Sequence, residues 1–365
     1  MIRVPYVNLA LQHLSLEREL LEAAGRVLRS GQFILGPEVQ EFERQFAVLC
    51  GTKYAIGVDN GTSALILCLR GLGIGPGDEV ITATNSFVAS TSSIALCGAT
   101  PVFVDNDGTY NMDPVLIASA ITPKTKAIVA VHWTGNPADM RAIRSIADAK
   151  NIPVIEDAAQ AVCGKLHGAP VGSLGRAACF SLHPLKNLSA CGDGGVITTD
   201  DEKLYQYLLL ARNHGLSDRD HCDFWSFNCR LDTLHAAMLL VKLQHLQRWT
   251  EARRAHAAYY RKHLAGLVDL PQETPGAYAV YHTFIIQTDR RDALRAFLKE
   301  RGVETAVHYP IPIHLQKAAK GLGKPKSLPV AERHADRVLS LPIYPELSEE
   351  QRACVAENIR EFFKS

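Results

Sequence analysis

No two of the nine cysteines stand in a CxxC pair, their number is odd and their spacing irregular, which excludes a disulfide framework and a zinc site of paired thiols. No GxGxxG follows a strand pattern and no GxxxxGK occurs, so neither a dinucleotide fingerprint nor a P-loop is present. No apolar run approaches the length of a membrane-spanning helix, and the first twenty residues lack a charged segment followed by an apolar one. Charge of one sign is also missing: Lys+Arg 39 against Asp+Glu 38 leaves +1, which gives nucleic acid or an anionic membrane no global field to bind. The expectation is a soluble, cytoplasmic protein with reduced thiols, whose anionic ligands must be met by a local site.

What is present is an average globular composition, 47% apolar and 21% charged over 365 residues, long enough for two lobes. Short β-branched runs at 54–58, 79–83, 102–104, 127–132, 153–156, 178–182 and 195–199 alternate with helical patterns such as 63–72 and 139–150. This alternation predicts an α/β lobe with a mostly parallel sheet. Runs such as AIVAVHW lack period-two alternation and suit a sheet covered on both faces. The stretch 233–249 is apolar around most of a helix, and so is expected to be buried against another lobe or subunit. A composition shift follows, and a βα-like pattern resumes at 281–287, 292–301 and 304–308. The expected division is therefore a large domain over 1–245, with the N-terminal segment, and a small α+β domain over 246–365.

Three places can carry chemistry. Asp59-Asn60-Gly61-Thr62-Ser63 ends a strand and opens a helix, and backbone N–H groups with the Thr62 and Ser63 hydroxyls suit a phosphate. A plain N-cap is the competing reading. At VIEDAAQA, Asp157 closes an apolar strand at the sheet edge where α/β folds bind ligands, with Gln160 three residues on. A carboxylate there can hold a protonated ring nitrogen or can simply cap a helix. In SLHPLKNLSACGDGG, Lys186 stands in a turn punctuated by Pro and Gly, where desolvation can make an amine nucleophilic toward an aldehyde. A phosphate cradle, a pyridinium partner and a loop lysine are the parts a pyridoxal phosphate enzyme needs, and they occur here in order along one chain.

With GQFILGP, TPVFVD, ITPKTKAIVAVHWTGNPADM, RNHG, FNCRLD, VHYPIPIHLQ and VLSLPIYPEL, these motifs identify a resemblance over essentially the whole chain. The chain resembles the nucleotide-sugar aminotransferases of the DegT/DnrJ/EryC1/StrS family, with the pyridoxal phosphate fold of type I. The resemblance implies a seven-stranded, mostly parallel sheet and pyridoxal 5'-phosphate as cofactor, with no metal. It implies Lys186 as the Schiff-base lysine and general acid/base, Asp157 at the pyridinium nitrogen and Gln160 at the ring hydroxyl. Thr62, Ser63 and Ser181 would hold the phosphate, and Phe87 would stack on the ring. Asn228, in FNCRLD, would reach the cofactor phosphate of a neighbouring subunit, which implies a homodimer with shared sites. His183, His308 and Tyr309 would line the sugar pocket, a buried structural role being the competing reading of the two histidines.

The implied reaction passes an amino group from L-glutamate to a keto-sugar on a nucleoside diphosphate. Members that dehydrate sugars have histidine where Lys186 stands. GDGG after the lysine, rather than EGG, resembles members acting on 3-keto sugars; a 4-keto sugar or an oxidised octulosonate acceptor is the alternative. Leu182 replaces the aromatic residue of the commoner SFxPxKN. A silent regulator that keeps the fold is the reading from another class, and a nicotinamide dehydrogenase lacks its glycine fingerprint.

Overall fold

The computed structural model describes residues 2–322 and 327–364. Seven strands, β1 (Tyr54–Val58), β2 (Glu79–Ala83), β3 (Thr100–Val104), β4 (Thr125–Val131), β5 (Val154–Asp157), β6 (Ala177–Ser181) and β7 (Gly195–Thr199), form one sheet in the order β1-β7-β6-β5-β4-β2-β3. The predicted strands match these within two residues at either end. β2 pairs in parallel with β3 and β4, β4 with β5, and β5 with β6. β7 runs antiparallel to both its neighbours, β1 and β6. Most interior strand residues are buried on both faces, as their unbroken apolar runs require.

The reversed strand has a local cause. Every parallel neighbour is reached through a longer crossover, whereas β6 and β7 are joined by residues 182–194 with no helix between them, and a direct return can only be antiparallel. That return is the stretch containing Lys186.

After β7 the predicted long helix over 233–249 is in fact two, Thr233–Leu243 and Leu246–Leu264. The join tightens into i→i−3 bonds, from Gln244 N–H to Val241 O and from His245 N–H to Lys242 O, which ends the first helix without glycine or proline. The C-terminal part has a two-stranded antiparallel sheet, β8 (Phe284–Gln287) with β9 (Val338–Leu341), covered by helices Arg291–Glu300 and Glu349–Lys364. The expected element at 304–308 is only an isolated bridge, Ala306 to Ser340. Val4 bridges Val303 and packs into this C-terminal core, so the start of the chain joins its end. Asp105, just past β3, accepts Val330 and Ala331 N–H at 3.0 and 2.9 Å, capping helix Pro329–Arg337 from the large sheet. No helix among the described residues is long and apolar enough to cross a membrane.

The adjacent carboxylates at the end of β5 part company because successive strand residues point to opposite faces. Glu156 is fully buried and accepts four hydrogen bonds, from His132 Nε2 (2.9 Å) and from the N–H groups of Gly172, Leu174 and Gly175 (3.0, 2.8 and 2.8 Å). Ala138 N–H donates to His132 Nδ1 at 3.0 Å, so the ring's proton is on Nε2, where Glu156 receives it. Glu156 is thus a structural brace for residues 172–175. Glu156→Ala should lower stability by about 3–5 kcal/mol in urea denaturation, since it strands two buried and two half-buried donors; a loss within the range of an ordinary surface change would show that the brace carries little.

Candidate functional site

Helix Gly61–Gly71 begins where β1 ends. Asn60 caps it, its Oδ1 accepting Ser63 N–H at 2.8 Å, so capping does not consume the hydroxyls of Thr62 and Ser63. The helix end can come against the sheet because two residues lack a side chain. A Cβ on Gly61 would lie 2.9 Å from Ser181 Cβ, and one on Gly195 would lie 2.5 Å from Asn60 O. The helix N-terminus, whose first N–H groups have no partner within the helix, therefore lies directly against Ser181, an arrangement that suits an anion. Ser63 lies beside the Asp59 carboxyl, which burial pushes above its usual range.

Asp157 ends β5 in the same cleft and is buried. Its Oδ2 accepts the Ser90 hydroxyl at 2.5 Å and its Oδ1 accepts Ala159 N–H at 3.2 Å. A turn follows instead of a helix, so the N-cap reading of Asp157 does not hold. Gln160, also buried, accepts Thr134 N–H on Oε1 at 2.7 Å. That bond orients the amide and leaves Nε2, with its two donors, to the cleft. Thr134 achieves it with φ of 61°, a left-handed backbone that costs a β-branched residue about 1–3 kcal/mol.

Lys186 sits in the return between β6 and β7, its N–H bonded to His183 O at 2.8 Å. Burial lowers its amine from the ordinary lysine value to about 8, while the Asp157 carboxylate pulls in the opposite direction without cancelling the shift. The lowered value and the reach of Asp157 place the two predicted residues in one electrostatic unit. His308 is held to about 4 by burial and then by Lys186, and it is therefore neutral at physiological pH; its Nδ1 lies 2.8 Å from Ser340 Oγ. Burial and Asp157 push the Tyr309 phenol upward. Tyr309 meets Phe87 and Trp133 with ring centroids 5.9 and 5.3 Å apart, giving the cleft an aromatic wall on which Phe87 is half exposed.

The structure thus links Lys186, Asp157, His308, Tyr309 and Phe87 through ring contacts and electrostatic reach, brings Gln160 in through Thr134, and sets Ser181 against the helix start that carries Thr62 and Ser63. His183 is exposed at its rim, its N–H toward Ser181 Oγ at 3.3 Å. Asn228 stands apart, exposed in residues 213–230, where its backbone bridges Asn213. Sequence reasoning missed Ser90, Trp133 and His282. His282 faces Lys186, and burial followed by that amine pushes its pKa well below the ordinary value; its Nδ1 is 3.3 Å from Asn187 Oδ1. Ser90 could have been noticed as a hydroxyl three residues beyond Phe87, whereas nothing local marks His282. Among the described residues no group of three or more His, Cys, Asp or Glu could hold a metal ion.

An α/β cleft that combines an anion cradle, a buried carboxylate and a desolvated lysine is the signature of an enzyme that binds an aldehyde through its own amine. The model of the DegT/DnrJ/EryC1/StrS aminotransferase family matches residues 15–360, and the chain belongs to that family. It is 46% identical to the pleiotropic regulatory protein of Geobacillus stearothermophilus, over 100% of this chain and 99% of that one. It is 44% identical to the dTDP-3-amino-3,4,6-trideoxy-alpha-D-glucose transaminase of Streptomyces venezuelae, over 99% and 96% of the two chains. It is also 44% identical to the UDP-N-acetyl-3-dehydro-alpha-D-glucosamine 3-aminotransferase of Acidithiobacillus ferrooxidans, over 98% and 97%. The crystal structure of S. venezuelae DesV superposes with a TM-score of 0.98 at 43% identity, covering 100% of both chains. That of NtdA from Bacillus subtilis, with bound cofactor PMP, gives 0.93 at 31%, covering 100% of this chain and 86% of that one.

In the cofactor-free protein, Lys186 should react with a small aldehyde and borohydride with a midpoint near pH 8, against 10.5 for an ordinary lysine. Asp157→Asn should move that midpoint down, because the carboxylate is what favours the charged amine. An upward shift, read by mass spectrometry of the labelled peptide, would contradict the coupling.

Proposed function

We propose that the chain is a pyridoxal 5'-phosphate enzyme that moves an amino group from L-glutamate to the 3-keto group of a sugar carried on a nucleoside diphosphate. The observation that carries this reading is the assembly of three groups: the Lys186 amine within reach of Asp157, that buried carboxylate held by Ser90, and the helix end bared at Gly61 against Ser181. The residues fit the cofactor on their own chemistry: the helix end at Gly61, bare of a side chain against Ser181, offers backbone N–H groups and a hydroxyl that suit a phosphate. When bound, the cofactor supplies an electron-withdrawing ring that makes a carbon-bound proton of the amino donor removable.

The chain's residues do the rest. Thr62, Ser63, Ser181 and the helix N-terminus hold the phosphate. Asp157, fixed by Ser90, keeps the ring nitrogen protonated, and Gln160 offers Nε2 to the ring hydroxyl. Phe87 covers one face of the ring. Lys186 Nζ would be the group that holds the cofactor's aldehyde, and the same amine is placed to act as base and acid toward a carbon-bound proton in the cleft. His183, His308 and Tyr309 meet the sugar, His308 as a neutral ring able to donate or accept.

The 3-position is supported by GDGG after Lys186 and by the 3-amino-sugar chemistry in the names of the relatives from S. venezuelae and A. ferrooxidans. A homodimer is supported by the surface: Trp225 is 92% exposed in the loop that carries Asn228, and Phe33, Ile34, Phe87, Val88 and Leu185 are also uncovered. In this reading Asn228 completes the phosphate site of the partner. The cleft lies between units 1–245 and 246–365, a division supported by the helix break at Gln244 and His245.

The visible spectrum of the protein with pyridoxal phosphate should change on adding L-glutamate alone, and the resulting form should be discharged by a dTDP- or UDP-linked 3-keto sugar in preference to a 4-keto one. Lys186→Ala should lose more than about a thousandfold in turnover; turnover retained by that variant overturns the assignment. Asn228→Ala should weaken cofactor affinity about tenfold, the scale of one hydrogen bond to a charged group. Equal retention in dialysed variant and wild type would rule out the shared site.

A further inference from the structure

Lys242 is the second-last residue of helix Thr233–Leu243 and is 0% exposed. A buried ammonium ordinarily needs a carboxylate, yet among the described residues no acidic side chain pairs with it. Its Nζ lies instead 2.8 Å from Ser189 O, 3.4 Å from Ser189 Oγ and 2.8 Å from His13 Nε2. Three N–H donors thus meet three acceptors. The Cys191 thiol is also beside it.

Ser189 is itself buried and stands three residues beyond Lys186 in the return between β6 and β7. The other ties of that return that reach beyond its own turn are neutral, among them Ala190 N–H to Leu182 O (2.7 Å), Leu182 N–H to Gly194 O (2.8 Å), Asn187 Nδ2 to Val280 O (3.3 Å) and Asn187 Oδ1 with His282 Nδ1 (3.3 Å). Hydrogen bonds from a charged donor are roughly twice as strong as neutral ones. Displacing the Ser189 carbonyl would also strip a buried charge of one of its few acceptors. Lys242 is therefore the stiffest of these anchors, and His13 extends it to helix Leu9–Leu14 at the start of the chain.

We propose that Lys242 is a positioning residue for Lys186: its buried ammonium, shared between His13 and Ser189, fixes the return that delivers the reactive amine to the cleft. The proposal rests on the aminotransferase reading above. It follows the sensitivity of such chemistry to placement, since an amine about 1 Å off its target loses about a hundredfold in rate.

The test compares Lys242→Met, Lys242→Arg and His13→Ala with the wild type. The pH midpoint of Lys186 is read in the cofactor-free proteins by reductive methylation with labelled formaldehyde and NMR, the Lys186 signal being assigned by its absence in Lys186→Ala. Kinetic constants and melting temperature are measured alongside. In Lys242→Met the midpoint should rise toward that of an ordinary lysine as the loosened return admits water, and kcat should fall about ten- to a hundredfold with little change in KM. Lys242→Arg, which keeps a charged donor, should recover most of both. His13→Ala, which removes one acceptor, should shift them in the same direction by less, and it decides the matter if Lys242→Met does not fold. Unchanged midpoints in the folded variants, with only the melting temperature lowered, would make Lys242 a stability residue and overturn the proposal. Turnover retained by Lys186→Ala would instead sink the aminotransferase reading, leaving the midpoints to stand or fall separately.

Discussion

One strand in the large sheet runs against its neighbours, and the cleft depends on that reversal. A strand that returns at once beside its predecessor is reached by a loop across the sheet edge, because there is no distance for a helix to span. β7 does this after β6, so residues 182–194 lie where β5 and β6 end, and Lys186 comes within the field of Asp157. Gly195, the first residue of the reversed strand, then leaves room for Asn60 and Gly61, which brings the helix end against Ser181. The amine and the anion cradle both follow from one change of direction, beside the carboxylate that ends β5.

The electrostatics of the cleft balance two opposed demands. The amine must shed its proton easily, which burial provides, while the carboxylate nearby must remain able to hold positive charge on a bound ring. Here burial wins over the attraction of Asp157, but incompletely, and the amine settles near neutrality instead of far below it. The histidines around it, His282 and His308, are pushed toward the neutral form by the same burial and by Lys186, so neither adds a cation beside the carboxylate. Orientation is maintained at a cost in backbone energy at Thr134, whose N–H reaches Gln160 only from the left-handed region.

Much of this was legible in the sequence because it is local. The seven strands show as apolar runs, and Asp157 and Lys186 stand out because each follows such a run with polar residues in a turn. What could not be read depends on partners far along the chain. Glu156 and Asp157 are adjacent and chemically alike, and only the alternation of the strand, with His132 on one side and Ser90 on the other, sends one to brace a loop and the other to the cleft. Thr62 and Ser63 looked like capping residues until Asn60 was seen to do that work. His282 reaches Lys186 from nearly a hundred residues on, and the helix over 233–249 broke at a join that no glycine or proline announced.

The three tryptophans stand in three different surroundings. Trp133 is walled in at the cleft against Tyr309, Trp249 is buried with Leu16 and Leu20 of the N-terminal segment, and Trp225 is almost bare on the loop that carries Asn228. Intrinsic fluorescence should therefore contain one red-shifted emitter and two blue ones, separable by replacing each with phenylalanine. Quenching of the Trp133 signal reports arrival at the cleft, a blue shift of Trp225 reports that its loop has been covered, and Trp249 reports whether the start of the chain is docked. The protein carries its own dyes for three events that would otherwise each need a label.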